Sequence, residues 1–147
     1  MSYLIDTNVL LRSVQSKHPV HEHAVSAIKS LLAQGETLYL VSQVVREFWN
    51  VCTRPLANNG LGMTIQEASE EMERLEAILT FLPDTPMTYT HWRELVARHS
   101  VRGVQVHDAN LVAAMLANEI THLLTFNVAD FQRFSEIIVA SPNQGVN

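Results

Sequence analysis

The chain has 147 residues, of which 47% are apolar and 7% aromatic, and this composition is typical of a folded domain rather than a disordered segment. We predict a single domain over residues 1–147, and no membrane partner, because no apolar run reaches the ~18 residues that a membrane span requires. The net charge of −5 neither suggests nor excludes a nucleic-acid partner, because residues 67–76 alone carry five glutamates and one arginine.

The cysteine content and the N-terminus both bear on the compartment. Cys52 is the only cysteine, which excludes an internal disulfide and fits a reducing environment. The first residues show no basic region followed by a long apolar core, so a secretory signal is not expected. We therefore expect a cytoplasmic protein.

The first third of the chain alternates short apolar runs with stretches of helical period. The predicted elements are a strand at 3–5, helices at 7–14 and 19–34, a strand at 37–41 and a helix at 42–52. Gly35 suits the left-handed position after the second helix, and Ser42 suits the N-cap of the third. The segment ending at Pro55 stops that helix.

The remainder of the chain continues the alternation. Residues 56–63 have the composition of a loop, and Thr64 with Glu67 has the spacing of a capping box at the start of a helix. The further elements are a strand at 81–83, helices at 85–100 and 108–119, a strand at 122–125, a short helix at 128–134 and a strand at 137–140. This order predicts an α/β fold whose mostly parallel sheet is covered on both faces.

Several polar side chains follow directly after predicted strands. Asp6 follows the first strand, and Asn127 and Asp130 follow the strand at 122–125. Ligands of parallel sheets bind at the carboxyl ends of the strands, so these positions converge on one edge. Simpler roles stay open, because Asp6 or Asn127 could merely cap the helix that follows it.

Two further acids belong to helices. Glu47 borders the apolar stripe of its helix, although a surface salt bridge with Arg46 or Arg54 would also explain it. Asp108 stands at the head of the apolar stripe of its own helix and would point toward the sheet. It could equally be a simple N-terminal aspartate that favours the helix dipole.

The acids share one electrostatic problem. Several carboxylates meeting without a matching lysine repel one another and take up protons, unless a divalent cation lies between them. Oxygen ligands with open positions favour Mg²⁺ or Mn²⁺ over zinc, and such ions activate water and stabilise phosphodiester oxygens. We therefore expect a nuclease-like site at metal-bridging distance, formed by Asp6, Glu47, Asp108 and Asp130.

Other kinds of site are less well supported. His18, His21 and His23 could hold zinc, but no cysteine or remote partner accompanies them, and His107 could orient a water or contact phosphate. The chain has neither a nucleophile elbow nor a Gly-rich phosphate loop. A haloacid dehalogenase-type phosphatase would need a second aspartate where Asn8 stands.

Four stretches of the chain resemble the ordered motifs of the PIN-domain family, and most closely its VapC-type toxins: YLIDTNVLL, VSQVVREFWNV, VHDANLVAAML and LLTFNVADF. The resemblance runs from residue 3 to about residue 134. It implies a compact α/β/α sandwich around a parallel sheet. It also implies a Mg²⁺- or Mn²⁺-dependent endoribonuclease of tRNA, rRNA or mRNA that forms dimers and is inhibited by a small antitoxin.

The resemblance also implies roles for individual residues. Asp6, Glu47 and Asp108 match the three well-fixed acids of the family, and the fourth acid lies in the region of Asn127 or Asp130. Asn127 could ligate a metal through its carbonyl while Asp130 supplies charge. A PIN-like RNA-binding or scaffold protein without catalysis is the alternative, and its mark would be a degraded acidic set.

Arginines near the acids are the candidate RNA contacts. Arg46 and Arg54 flank the helix of Glu47, and Arg98 and Arg102 precede the loop that leads into the helix of Asp108. We expect all four to contact phosphates.

Two protein partners are also expected. A homodimer is implied by the resemblance and has some support from an apolar patch that could equally pack inside the monomer, made of Leu56, Leu61, Met63 and Ile65. An antitoxin arginine could pair with Asp6 and Asp108 and displace the metal.

Overall fold

The computed structural model describes residues 1–144 and shows alternating strands and helices over that range. The strands are β1 (Ser2–Ile5), β2 (Thr37–Val41), β3 (Thr80–Leu82), β4 (His122–Leu124) and β5 (Ile138–Ala140). The α helices are α1 (Thr7–Ser13), α2 (His21–Ala33), α3 (Ser42–Thr53), α4 (Ile65–Glu76), α5 (Pro86–Arg98), α6 (Val106–Ala117) and α7 (Val128–Phe131). Short 3₁₀ turns occupy Leu56–Asn58, Gly103–Gln105 and Pro142–Gln144.

The five strands form one parallel sheet in the order β3-β2-β1-β4-β5. The predicted α/β/α sandwich is confirmed, and the strand pairings within residues 1–144 are all parallel rather than mostly so. In the centre, Tyr3 of β1 aligns with Leu38 of β2 on one side and His122 of β4 on the other. The strand order reverses between β1 and β4, and such switch points place a crevice at the carboxyl ends of both strands.

The strands are continuous apolar runs because helices cover both faces of the sheet. Leu4 and Ile5 of β1, Leu40 of β2, and Leu123 and Leu124 of β4 are fully buried. Burying such side chains is the main favourable contribution to folding, at about 1.5–3 kcal/mol each. The central strands are therefore rigid supports for the residues that follow them.

Two local predictions are confirmed at the level of hydrogen bonds. Thr64 and Glu67 form the capping box at the start of α4, with the Glu67 amide donating to Thr64 Oγ1 at 3.1 Å. The Thr64 amide donates in return to Glu67 Oε1 at 3.0 Å. Gly35 has the predicted left-handed conformation after α2, with φ of 80°.

Some predicted boundaries were wrong by one or two residues. Ser42 is the first residue of α3 rather than its N-cap, which is Val41 and has no side-chain hydrogen bond. The helix predicted from Pro19 begins at His21, and the helix predicted from Asp108 begins at Val106. The last shift places Asp108 inside the first turn of α6.

The segment after α3 packs tightly against the end of that helix. Residues 56–63 were predicted as a loop, and they contain a 3₁₀ turn at Leu56–Asn58. A Cβ atom added at Gly60 would overlap the main chain of Arg54, so glycine is required there. Among the described helices, none is both long and apolar enough to span a bilayer.

Candidate active site

Asp6 lies at the switch point of the sheet, directly after β1. Its side chain is 8% exposed and caps α1, accepting a hydrogen bond from the Thr7 amide at 2.7 Å. The other carboxylate oxygen accepts from Thr125 Oγ1 at 2.8 Å and from Asn8 Nδ2 at 3.2 Å. The capping role considered from the sequence is therefore real, and it coexists with a position at the carboxyl ends of β1 and β4.

Burial has the largest effect on the pKa of Asp6. Removal from water raises the pKa of its carboxyl from 3.8 to about 6, although the hydrogen bonds from Thr125 and Thr7 act in the opposite direction. The negative charges of Glu47 and Asp108 raise the pKa of Asp6 further. Both acids therefore lie close enough to act on Asp6 electrostatically.

Glu47 is an exposed residue of α3 that is joined to Asp6 through one threonine. Thr7 Oγ1 donates to Glu47 Oε2 at 2.7 Å, while the amide of the same residue donates to Asp6. Gln43, one turn earlier on α3, donates to Glu47 Oε1 at 3.2 Å. The predicted alternative, a salt bridge of Glu47 with Arg46 or Arg54, does not occur among residues 1–144.

Asp108, in the first turn of α6, lies within electrostatic range of Asp6. Burial raises the pKa of the half-buried Asp108 carboxyl, and the charges of Asp130 and Glu47 raise it further. His107 and Arg133 lower it, but they do not cancel the increase. The structure thus brings Asp6, Glu47 and Asp108 within electrostatic range of one another, and Asp130 joins them through its effect on Asp108.

The fourth motif lies after β4. Asn127 occupies the N-cap position of α7, but its side chain makes no capping hydrogen bond. Its amide N–H instead donates to Thr125 Oγ1 at 3.0 Å, and the amide of Asp130 donates to the Asn127 carbonyl at 3.1 Å. The side chains of Asn127 and Asp130 are both exposed, and Asp130 acts on the pKa of Asp108.

The acids do not form a ready-made metal cage. Within residues 1–144, no group of three or more His, Cys, Asp or Glu side chains is arranged to hold a metal ion. The expectation of four carboxylates at metal-bridging distance is therefore not met by these side-chain positions. The histidines considered for zinc do not form such a group either. His18 accepts a hydrogen bond from the Val20 amide, and His21 bonds to the Arg12 carbonyl.

The chemistry of the residues nevertheless fits a hard divalent cation. None of the four acids forms an ion pair within the described part of the chain, so their charges are unmatched there. Burial is the main reason why the pKa values of Asp6 and Asp108 are raised, and the charges of the neighbouring acids raise them further. Carboxylates with a neighbouring amide carbonyl at Asn127 are the oxygen ligands that Mg²⁺ and Mn²⁺ prefer.

The four predicted RNA-binding arginines lie in different environments. Arg46 is exposed beside Glu47, and Arg102 is exposed in the turn before α6; neither makes an ion pair or hydrogen bond within residues 1–144. Arg54 donates instead to the Asn59 carbonyl at 3.1 Å, and Arg98 lies 3.6 Å from Glu136. Two of the four are thus available for phosphate, and two already have partners in the fold.

Sequence reasoning missed the polar residues that fix the acids. Thr125 was predicted only as the end of a strand, yet its buried hydroxyl contacts Asp6 and Asn8. Gln43 accepts from Asn110 Nδ2 at 2.7 Å and donates to the His107 carbonyl at 3.0 Å, which joins α3 to α6. The adjacency of β1 and β4 could have pointed to Thr125, but that adjacency depends on strand order.

Arg133 was also missed. It follows α7 and acts electrostatically on Asp108, so it lies on the cluster side of the molecule. Its guanidinium also lies 3.4 Å from the His99 carbonyl. Its spacing of three residues from Asp130 was the only clue in the sequence.

The described residues thus form a parallel α/β/α sandwich in which Asp6 follows the central strand β1, and helices α3, α6 and α7 contribute the other three acids. The chain belongs to the PIN domain family, whose model matches residues 3–137. No curated protein matches the chain at a significant level.

Solved structures with the same fold include components of toxin–antitoxin complexes. VapBC2 from Rickettsia felis, bound to a DNA fragment from its promoter, is similar with a TM-score of 0.71 at 15% identity, covering 96% of this chain and 98% of that one. VapBC-1 from nontypeable Haemophilus influenzae gives 0.71 at 15% identity, covering 97% and 99%. VapC20 of Mycobacterium tuberculosis, a sarcin–ricin loop cleaving toxin, gives 0.59 at 20% identity, covering 82% and 86%.

Proposed function

We propose that this protein is a divalent-metal-dependent endoribonuclease and the toxin of a toxin–antitoxin pair. The observation that carries the proposal is the set of unmatched carboxylates at the switch point of a PIN-domain sheet. The similarity to VapBC structures and to a toxin that cleaves the sarcin–ricin loop supports RNA as the substrate class and an antitoxin as the partner.

We assign each residue a role from its position in the site. Asp6 and Asp108 would hold Mg²⁺ or Mn²⁺. Asp130 and the side-chain carbonyl of Asn127 would complete the site at its exposed rim. When bound, such an ion supplies an activated water and stabilises charge on the phosphodiester oxygens. Thr7 and Thr125 orient the Asp6 carboxylate through hydrogen bonds of 2.7 and 2.8 Å.

Glu47 has a different environment from Asp6 and Asp108. It is exposed, and its two oxygens accept from Thr7 and Gln43, so it is held at the rim rather than buried. We assign its carboxylate the role of accepting a proton from an attacking water, because it is exposed and held by two hydrogen bonds. Arg46 next to it and Arg102 before α6 would contact the phosphates on either side.

The test is RNA cleavage by the purified chain. We expect cleavage of tRNA or rRNA with Mg²⁺ or Mn²⁺, none with excess EDTA, and none by Asp108→Asn. Glu73→Gln, which removes an exposed carboxylate of α4, is the matched control and should cleave like the wild type. Cleavage that survives both EDTA and Asp108→Asn would overturn the nuclease assignment.

The antitoxin is tested separately. The four acids attract a cationic side chain, so an arginine of the partner would pair with Asp6 and Asp108. We expect a short neighbouring reading frame whose product forms a complex with this chain and relieves growth arrest. If co-expression gives neither, the chain is a nuclease without that partner.

A further inference from the structure

A cleft lies beside the acidic cluster, between the start of α3 and the helices α5 and α6. It encloses about 370 Å³, and its walls include Gln43, Arg46, Thr85, Tyr89, Trp92 and Asn110. The exposed Asp84 also lines it. We call it the side cleft.

The side cleft adjoins the acids through two hydrogen-bonded side chains of its wall. Gln43 lines the cleft and also donates to Glu47 Oε1 at 3.2 Å. Asn110 lines it as well, two residues after Asp108 on α6, and donates to Gln43 Oε1 at 2.7 Å. A chain whose phosphate lies at the acids would therefore have its neighbouring nucleotide at the mouth of the cleft.

The wall of the cleft carries an aromatic pair with an exposed member. Trp92 is anchored, because its Nε1 donates to the Val106 carbonyl at 2.9 Å. Tyr89 stacks on it with ring centroids 6.4 Å apart and an interplanar angle of 27°, while remaining 66% exposed. An exposed ring on a fixed support is the arrangement that stacks against unpaired nucleobases.

A cationic group of the cleft is also free to bind a ligand. Arg46 is exposed and has no ion pair or hydrogen bond in the described part of the chain, so its charge is available to a phosphate. Thr85 Oγ1 is buried without a partner in residues 1–144. Because this oxygen has almost no accessible surface, it offers a ligand no contact in this conformation, and phosphate binding in the cleft rests on Arg46.

We propose that the side cleft binds one unstacked base of single-stranded RNA, next to the phosphate that is cleaved, with Tyr89 as the stacking surface and Arg46 as the phosphate contact. This inference rests on the proposed function, because it takes RNA as the ligand of the adjoining acids. It deepens that function by assigning a base-binding site. Base selection by this cleft would then contribute to the choice of cleavage position.

The test uses fluorescein-labelled 2′-O-methyl RNA decamers of random sequence and a decamer of the same backbone with abasic residues, all in excess EDTA, so that no divalent cation is available for cleavage. Affinity is measured by fluorescence anisotropy for the wild type and Tyr89→Ala. We expect Tyr89→Ala to bind the intact decamer about ten-fold more weakly, because one base–aromatic stack is lost. Its affinity for the abasic decamer should equal that of the wild type.

Two control variants separate stacking from loss of structure. Tyr89→Phe keeps the ring, and Met87→Ala removes another exposed apolar side chain of α5 that does not line the cleft. Both should bind the intact decamer like the wild type. Equal losses on intact and abasic decamers, no loss for Tyr89→Ala, or no binding by the wild type would each overturn the base site.

The outcome also distinguishes the two levels of the proposal. If the wild type cleaves RNA but Tyr89→Ala binds normally, the base site is wrong and the nuclease assignment stands. If Tyr89-dependent binding of bases occurs in a chain that never cleaves RNA, the nuclease assignment is wrong and the base site stands.

Discussion

At the scale of single residues, Asp6 combines two roles that usually belong to different side chains. It caps α1 through the Thr7 amide, and it carries a buried charge next to two other acids. The cap explains why an aspartate is tolerated after a buried strand, since hydrogen bonds offset part of the cost of burying its charge. The remaining imbalance is what a cation would relieve.

The buried Asp6 carboxyl predicts that the stability of the protein depends on pH. The pKa of Asp6 is raised to about 6 in the folded state. The charged carboxylate therefore costs stability above that value, and the cost disappears as the pH falls toward the unfolded pKa. We therefore compare the free energies of unfolding of the wild type and Asp6→Asn in EDTA. As the pH is lowered from ~7.5 to ~4.5, the wild type should gain about 2 kcal/mol relative to the variant.

Urea unfolding of both proteins across this range measures that difference. Asparagine is an equally good N-cap, so the substitution tests the charge rather than the cap. A difference between the two proteins that stays constant with pH would show that the Asp6 carboxyl titrates normally.

Arg46 and Arg54 give a second prediction, because they border the same helix in different environments. Arg46→Gln should leave stability unchanged and reduce the salt dependence of RNA binding by about one phosphate contact. Arg54→Gln should instead lower the free energy of unfolding by about 1 kcal/mol, because it loses the bond to the Asn59 carbonyl. Chemical unfolding measures the stability of both variants, and RNA titrations at several salt concentrations measure the salt dependence of binding. If Arg54→Gln rather than Arg46→Gln reduced the salt dependence, Arg54 would be the phosphate contact.

At the scale of elements, the position of α3 sets the position of Glu47. The chain after α3 folds back closely, so that the Leu61 amide donates to the Val51 carbonyl at 2.9 Å and the Gly62 amide to the Arg54 carbonyl at 2.9 Å. Gly60 lies at the closest approach. This segment therefore fixes the end of the helix that carries Glu47.

Gly60→Ala should be strongly destabilising for that reason. The added Cβ meets main-chain atoms of Arg54, which cannot move as a flexible side chain would, and we expect a loss of about 3 kcal/mol. Gly35→Ala is the control: it has open space but a φ of 80°, so it should cost only about 1 kcal/mol. Equal melting temperatures for the two variants would contradict the packing described for Gly60.

The elements were largely predictable from the sequence because their determinants are local. The apolar run of β2 and the capping box of Thr64 and Glu67 each lie within a few residues, and both were predicted correctly. The N-cap at Val41 was not, because the start of α3 depends on the sheet rather than on a capping side chain. The Thr125 contact to Asp6 spans 119 positions and depends on strand order, which no local pattern contains.

At the scale of the whole molecule, the homodimer remains a prediction. Of the apolar patch named from the sequence, Leu61 and Met63 pack against the core, whereas Leu56 is 76% and Ile65 64% exposed. The exposed pair is too small to specify a stable interface by itself but marks where one could form. If this surface is the interface, Leu56→Asp with Ile65→Asp should convert a dimer into a folded monomer in analytical ultracentrifugation; an unchanged dimer would place the interface elsewhere.

The proposed nuclease activity depends on the acids acting as one divalent-cation site. The direct measurement is a titration of Mn²⁺ into the protein followed by electron paramagnetic resonance, in which bound Mn²⁺ loses the sharp signal of the free ion. We predict that the wild type and the control Glu73→Gln bind Mn²⁺, and that Asp6→Asn and Asp108→Asn each bind it at least about ten-fold more weakly, because a charged ligand is lost. Equal Mn²⁺ binding by all four proteins, or none by the wild type, would contradict a divalent-cation site at these acids.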